Sequence, residues 1–312
     1  MLWVVVPALN EAENLEVLIP RIITEVEALS PLGRVLVVDD GSTDDTPKVM
    51  AELMGAHPTV ELETMRHNVG KAAALRAGFQ RALDGGATRV VMMDADGQDD
   101  PTELPRLLAE IENGYGLVTG ARLLRRDRFI KRNTSKIYNG VTRVLSGTPG
   151  RDFNSGFKAM RAEVAADLVP MLYGEMHRYI TVIAHDTGHR VAEVPVEHHP
   201  RMMGESKYGL ARFWRGFVDL LTVRFLLSYE NRPSHLFSAL GGASFMIGSL
   251  MLAYLTVLKI TGESIGGRPL LLAGVMFVMV GVQLVVFGLL AELIVHARHR
   301  SQPMVSSGVP RE

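Results

Sequence analysis

Between Leu2 and Gly120, short apolar and β-branched runs alternate with segments whose apolar residues recur at helical spacing. The runs at 2–6, 34–38, 59–64, 89–93 and 116–120 read as buried strands, and 13–29, 44–54, 71–84 and 102–113 as amphipathic helices. Strict strand–helix alternation predicts an α/β fold with a largely parallel sheet. Thr43 or Asp44 is expected to cap the second helix, and Thr102 the fourth. From 128 to 200 the pattern is mixed. Leu210, Phe213, Trp214, Phe217, Leu220 and Leu221 then fall at helical spacing, with Arg212, Arg215 and Asp219 elsewhere around the helix. Such a helix suits the headgroup region of a bilayer.

The last third of the chain changes character. Residues 236–258 and 269–291, 23 residues each, contain no charged side chain. Each is long enough for a helix to cross a hydrocarbon core of about 30 Å. The organisation expected is an α/β head over 1–209, an interfacial helix over 210–232, two spans within 233–298, and a disordered tail over 299–312. Arg215, Arg224 and Arg232 precede the first span and Arg298 and Arg300 follow the second. The intervening loop offers only Lys259 and Arg268 against Glu263. This bias places the head and the C-terminus in the cytoplasm. Leu2 to Val6 is too short for a targeting signal and lacks a cationic leader. Ser238 with Gly242, and Ser244 with Gly248, form small-xxx-small pairs that would let helices approach, within one chain or in a homo-oligomer.

Three polar clusters follow three of the expected strands: Pro7 to Glu11, Asp39-Asp40, and Asp94 to Gln98. Ligands of open α/β sheets bind at the carboxyl edge of the strands, where such loops converge. Asp94 and Asp96, two residues apart on an extended strand end, share one face, and Gln98 adds an amide oxygen. Hard oxygen ligands of this kind suit Mg²⁺ or Mn²⁺, with positions left for diphosphate oxygens. Lys71 opens a helix behind Gly70, where a diphosphate would meet an ammonium and free backbone N–H groups.

Composition narrows the field. Lys and Arg number 33 against 34 Asp and Glu, which argues against a general nucleic-acid binder. The chain has no cysteine, so neither a disulfide frame nor a thiolate metal site exists.

Val4-Val5-Val6-Pro7-Ala8-Leu9-Asn10-Glu11, Val37-Val38-Asp39-Asp40-Gly41-Ser42, Asn68-Val69-Gly70-Lys71 and Asp94-Ala95-Asp96-Gly97-Gln98 occur in that order. Together they resemble the nucleotide-sugar half of the family 2 glycosyltransferases, whose GT-A fold is Rossmann-like. Asp152-Phe153-Asn154-Ser155-Gly156-Phe157-Lys158, Glu175-Met176-His177-Arg178-Tyr179 and Arg201-Met202-Met203-Gly204-Glu205-Ser206-Lys207 are similar to blocks of its polyisoprenyl-phosphate branch. That branch includes dolichol-phosphate mannose synthase and bactoprenol glucosyltransferases. The resemblance implies that Pro7, Leu9 and Glu11 line a nucleoside pocket, that Asp39 contacts the base, and that Ala95 lies at the nucleotide sugar with Asp94 and Asp96. It implies phosphate binding by Arg122, an acceptor-phosphate site at Lys131 and Ser135, with Arg132 as a substitute, and a phosphate clamp of Arg201 and Lys207. Lys131 and Lys158 stand where the family more often has Arg. His177 and Arg178 would orient the head or touch the acceptor.

The implied reaction moves one sugar from a nucleotide donor, UDP-glucose or GDP-mannose, to a polyprenyl phosphate. A phosphate monoester has a second pKa near 6, so the nucleophile is already an anion and needs no general base. Were the acceptor a sugar hydroxyl, Asp152 or an Asp of the metal motif would be the base. The alternatives are such a hydroxyl-directed transferase and a non-catalytic membrane scaffold. The run from Arg122 to Lys136, with Asp127 its one acid, would favour an anionic membrane surface.

Overall fold

A computed structural model describes residues 1–122, 139–140, 142–143, 146–197, 199 and 233–301, the last seven by backbone alone. The chain divides into two compact units, Met1–Arg224 and Phe225–Glu312.

The first unit is built on seven strands: β1 (Leu2–Ala8), β2 (Arg34–Asp39), β3 (Val60–Thr64), β4 (Arg89–Met92), β5 (Leu117–Ala121), β6 (Lys158–Arg161) and β7 (Val191–Pro195). Their order across the sheet is β3-β2-β1-β4-β6-β5-β7. All neighbours are parallel except β6, which runs antiparallel between β4 and β5. The helices are α1 (Ala12–Leu29), α2 (Thr46–Ala56), α3 (Lys71–Asp84), α4 (Leu104–Glu112), α5 (Ala162–Leu168) and α6 (Ile180–Asp186). The five expected strands and four expected helices all form. Strands β6 and β7 arise in the mixed region, where four residues beginning with Lys158 gave no apolar signal.

Burial explains the local choices. Residues Leu2 to Val6 are each at most 1% exposed, the continuous apolar run of a strand covered on both faces. Helix α1 buries Leu15, Leu18, Ile19, Ile22, Ile23 and Val26, an apolar stripe at helical spacing.

One expected cap bond forms and the other moves. Helix α2 begins at Thr46 with Asp45 in the cap position, and Asp44 supplies the bond, its Oδ1 accepting from Thr46 N at 3.0 Å. That bond, another from Ala12 N and burial (which opposes them) leave the Asp44 carboxyl below its ordinary value. At the fourth helix Asp100, not Thr102, is the cap; it accepts from Thr102 N and starts a 3₁₀ turn, Pro101–Glu103. In both cases the acid earlier in sequence reaches forward two residues to an orphan N–H.

The second unit contains α7 (Pro233–Ile260, 28 residues) and α8 (Pro269–Ser301, 33 residues), both longer than the expected spans. Only 11% of each apolar window is buried, and both helices are long and apolar enough to cross a membrane. Their exposed Leu250, Ile260, Leu272 and Leu293 suit a hydrocarbon surrounding. The helices meet through small residues. A Cβ added at Gly241 would lie 2.7 Å from Gly281 O, and one at Gly248 2.7 Å from Gly274 O. Ser244 Oγ donates to Phe277 O at 2.8 Å. Ser244 and Gly248 are therefore interface residues as expected, whereas Gly242 faces open space and Gly241 takes its place. The pattern 210–230 and the tail beyond 301 lie outside the described residues.

Candidate active site

The register brings the polar clusters together. Ala8 pairs with Asp39 across β1 and β2, while Val5 pairs with Met92 on β4. Strand β5 runs parallel to β4 across β6, so Arg122 ends at the same edge. Loop 150–157 enters antiparallel β6 there as well. Pro7–Glu11, Asp39–Asp40, Asp94–Gln98, Arg122 and Asp152–Gly156 thus share the carboxyl edge.

Within 93–100 exposure alternates. Residues 94, 96, 98 and 100 are partly exposed, and 93, 95, 97 and 99 are buried. A turn at Ala95–Asp96 with Gly97 at φ 67° follows Asp94, so it is this turn, not the strand alternation expected, that leaves Asp94, Asp96 and Gln98 partly exposed. Gln98 N donates to Asp96 Oδ1 at 3.2 Å. The amide nitrogen of Gln98 donates to His199 O at 3.3 Å, which turns the amide oxygen away for another partner. Lys71 Nζ forms an ion pair with Asp94 Oδ1. Burial opposes ionisation of Asp94, but the Lys71 ammonium, with Arg122 and His177, holds its carboxyl below the ordinary value. No three His, Asp or Glu side chains converge as a closed metal cage among the described residues. Two carboxylates and an amide suit an open site whose remaining ligands are phosphate oxygens.

Gly156 is essential to this cradle. A Cβ built there would overlap the Asp94 carboxylate. Gly156→Ala is expected to push Asp94 off its position and lower turnover about tenfold or more, with the fold intact. Unchanged turnover and unchanged Mn²⁺ affinity in that variant would show that Asp94 is not held there.

Arg122 and Asp152 form the second half of the site. Arg122 Nε and Nη2 reach Asp152 Oδ2 and Oδ1 at 2.7 and 3.0 Å, and Arg122 N adds a 3.2 Å bond. Their side chains are only 13% and 8% exposed. Burial works against the guanidinium charge, yet Asp152, aided by Asp99 and Asp94, holds the Arg122 pKa above its ordinary value. With Nε and Nη2 engaged, Nη1 keeps its protons for a further anion. A carboxylate gripped this way is a poor general base. Below the pair, Lys158 is fully buried and donates to Thr119 Oγ1 and Phe153 O. Burial pushes its ammonium down to about 8, opposed by the Asp152 and Glu193 carboxylates.

Pro7, Leu9, Glu11 and Asp39, the residues of the implied nucleoside pocket, lie at the ends of β1 and β2. Leu9 is 38% exposed at the crevice, and Glu11 accepts from Asn14 Nδ2. Asp39 is 1% exposed, beneath the turn it supports by accepting from Ser42 N at 2.9 Å. Its Oδ2 is buried without a hydrogen-bond partner among the described residues. Asp40, part of the Asp39-Asp40 cluster at the strand end, accepts from Val69 N and Gly70 N, both at 2.8 Å. Those two backbone groups before α3 are therefore not free for a diphosphate. Arg178 is tied to Glu175 at 2.8 Å and nearly buried, whereas His177 is close enough to Asp94 to act on its charge. Lys131, Arg132, Ser135, Arg201 and Lys207 lie outside the described residues.

Residues 3–169 match Glycosyl transferase family 2. The chain is 33% identical to dodecaprenyl-phosphate galacturonate synthase of Rhizobium johnstonii, over 96% of this chain and 89% of that protein. It is 31% identical to undecaprenyl-phosphate 4-deoxy-4-formamido-L-arabinose transferase of Enterobacter sp., over 93% and 87%. Among solved structures, glucosyl-3-phosphoglycerate synthase of Mycobacterium tuberculosis with Mn²⁺, UDP and phosphoglyceric acid superposes with TM-score 0.52. It is 20% identical and covers 72% of this chain and 78% of its own. A mannosyltransferase of Pyrobaculum calidifontis with GDP-Man and Mn²⁺ gives TM-score 0.51 at 19% identity, over 97% and 76%. The fold is of the GT-A type. The chain belongs to glycosyltransferase family 2.

Proposed function

We propose that this protein is an inverting glycosyltransferase that moves a single sugar from a nucleoside-diphosphate donor to a polyprenyl phosphate. The observation that carries this reading is the juxtaposition of Asp94, Asp96 and Gln98 with the Arg122–Asp152 pair at one sheet edge, in a chain that also has two apolar helices of spanning length. The relatives named above bear polyprenyl-phosphate products in their names, which supports the acceptor class.

Asp94, Asp96 and Gln98 would hold Mg²⁺ or Mn²⁺, which stabilises charge on the departing nucleoside diphosphate. Arg122 Nη1 and the Lys71 ammonium supply further positive charge for phosphate oxygens, fixed in place before the reaction. Arg201, two residues beyond His199 in sequence, and Lys207 would clamp the same phosphates, and Lys131, Arg132 and Ser135 the acceptor. The lipid phosphate attacks the anomeric carbon directly, so an α-linked donor gives a β-linked product. With Asp152 held by Arg122, no side chain is assigned as general base, which fits an acceptor that is already ionised.

The donor follows from ring chemistry. Galacturonate and L-arabinose share one configuration at C2, C3 and C4, in which glucose differs at C4. The names of the two relatives therefore favour a galacto-configured donor over UDP-glucose or GDP-mannose. The purified enzyme should be offered polyprenyl phosphate with each donor, the product weighed, and its anomeric configuration read by NMR. An inverted lipid-phosphate sugar from a galacto-configured donor is expected. Transfer only to a carbohydrate hydroxyl would support the hydroxyl-directed transferase instead, and no transfer from any donor would favour the scaffold.

The proposed orientation keeps the head and the C-terminus in the cytoplasm.

A further inference from the structure

We propose that Glu193 is a positioning residue that aims Arg122 at its phosphate by fixing the loop that carries Asp152. Nothing in the sequence pattern marks it: Glu193 is one acid between Ala192 and Val194 on β7. In the fold it sits on a rigid strand in register with Thr119 of β5, three residues before Arg122. Its Oε1 accepts two backbone hydrogen bonds from the loop, from Arg151 N at 2.6 Å and Asp152 N at 2.9 Å. On the other side of the loop, Asn139 Nδ2 donates to Arg151 O at 2.7 Å. Gly150 has φ 151°, and a Cβ there would lie 2.8 Å from Glu193 Oε1, so only glycine lets the carboxylate come this close.

The consequence passes along one chain of contacts. Glu193 fixes the backbone of Asp152, and Asp152 fixes the guanidinium of Arg122 through Nε and Nη2. A fork held at both inner nitrogens has one direction left for Nη1. Without the acceptor at Glu193, two N–H groups of a partly buried turn lose their partner, and the turn must rotate to find another. Charge points the same way. Arg122 and Lys158 are balanced by Asp152 and Glu193, and both acids act on the buried Lys158.

This inference rests on Arg122 binding phosphate, as proposed above, and can fail separately from it. The test uses the full-length enzyme with Glu193→Gln and Glu193→Leu, each alone and with Asp152→Ala. Glu193→Leu should lower kcat on the order of 10- to 100-fold, the scale of a misplaced catalytic group. Glu193→Gln should keep most of the activity, since its amide oxygen still accepts both N–H groups. In the Asp152→Ala background Glu193→Leu should cost nothing more, because the route to Arg122 is already cut. A Glu193→Leu loss of equal size in both backgrounds would overturn the proposal, as would Glu193→Gln behaving like Glu193→Leu. Full activity of Arg122→Lys would instead overturn the role of Arg122 itself.

Discussion

Asp96→Asn is expected to lower turnover by about 10²-fold or more. The variant is informative because its structural cost is small. Asp96 is partly exposed and its Oδ1 accepts from Gln98 N, a bond that an asparagine oxygen can also take. The turn therefore persists while the anionic ligand is lost. Asp94→Asn is less clean, since it also releases the Lys71 ammonium from its ion pair. Mn²⁺ binding measured beside turnover separates the causes: Asp96→Asn should weaken both together. Wild-type turnover of this variant in chelator-washed membranes would remove the metal from the mechanism.

Arg122→Lys is expected to reduce kcat on the order of 10²-fold, as does removal of one preorganised donor to a charge that develops during reaction. Lysine keeps the charge but loses the fork that both grips Asp152 and presents Nη1. Arg122→Ala should be worse for a second reason. It leaves the Asp152 carboxylate, 8% exposed, without its main partner, and breaking a buried pair costs about 3–5 kcal/mol. Denaturant titration distinguishes the two variants. Arg122→Lys should stay near wild-type stability with low activity, whereas Arg122→Ala should lose both. If Arg122→Lys transfers sugar at the wild-type rate, the Arg122–Asp152 pair is a structural brace only.

The candidate metal motif was legible because it is local. Asp94, Asp96 and Gln98 lie within five residues just after one strand, although a turn at Ala95–Asp96, and not an extended chain, sets how they stand. Lys71 was legible as a cation at a helix start, but its partner was not. Asp94 is 23 residues away in sequence and meets it only because β4 lies beside β1 with α3 packed above. The hold on the turn before α3 was hidden for the same reason: Asp40, 29 and 30 residues away, takes the N–H groups of Val69 and Gly70. The spans were legible from composition, while the side they share was not. Gly241 and Gly242 are equivalent in sequence, and only the packed helices select Gly241.

The amino-acid sequence by itself determined the first five strands and first four helices, the spanning length of the last two helices and the family, because each depends on periodicity or order within a short window. The tertiary structure alone decided that β6 enters antiparallel between β4 and β5. It also decided that Asp152 meets Arg122 across 30 residues and that Glu193 reaches back 41 residues to hold that loop. Those contacts depend on which strands become neighbours, and neighbour choice is settled by the packing of the whole sheet rather than by any one segment.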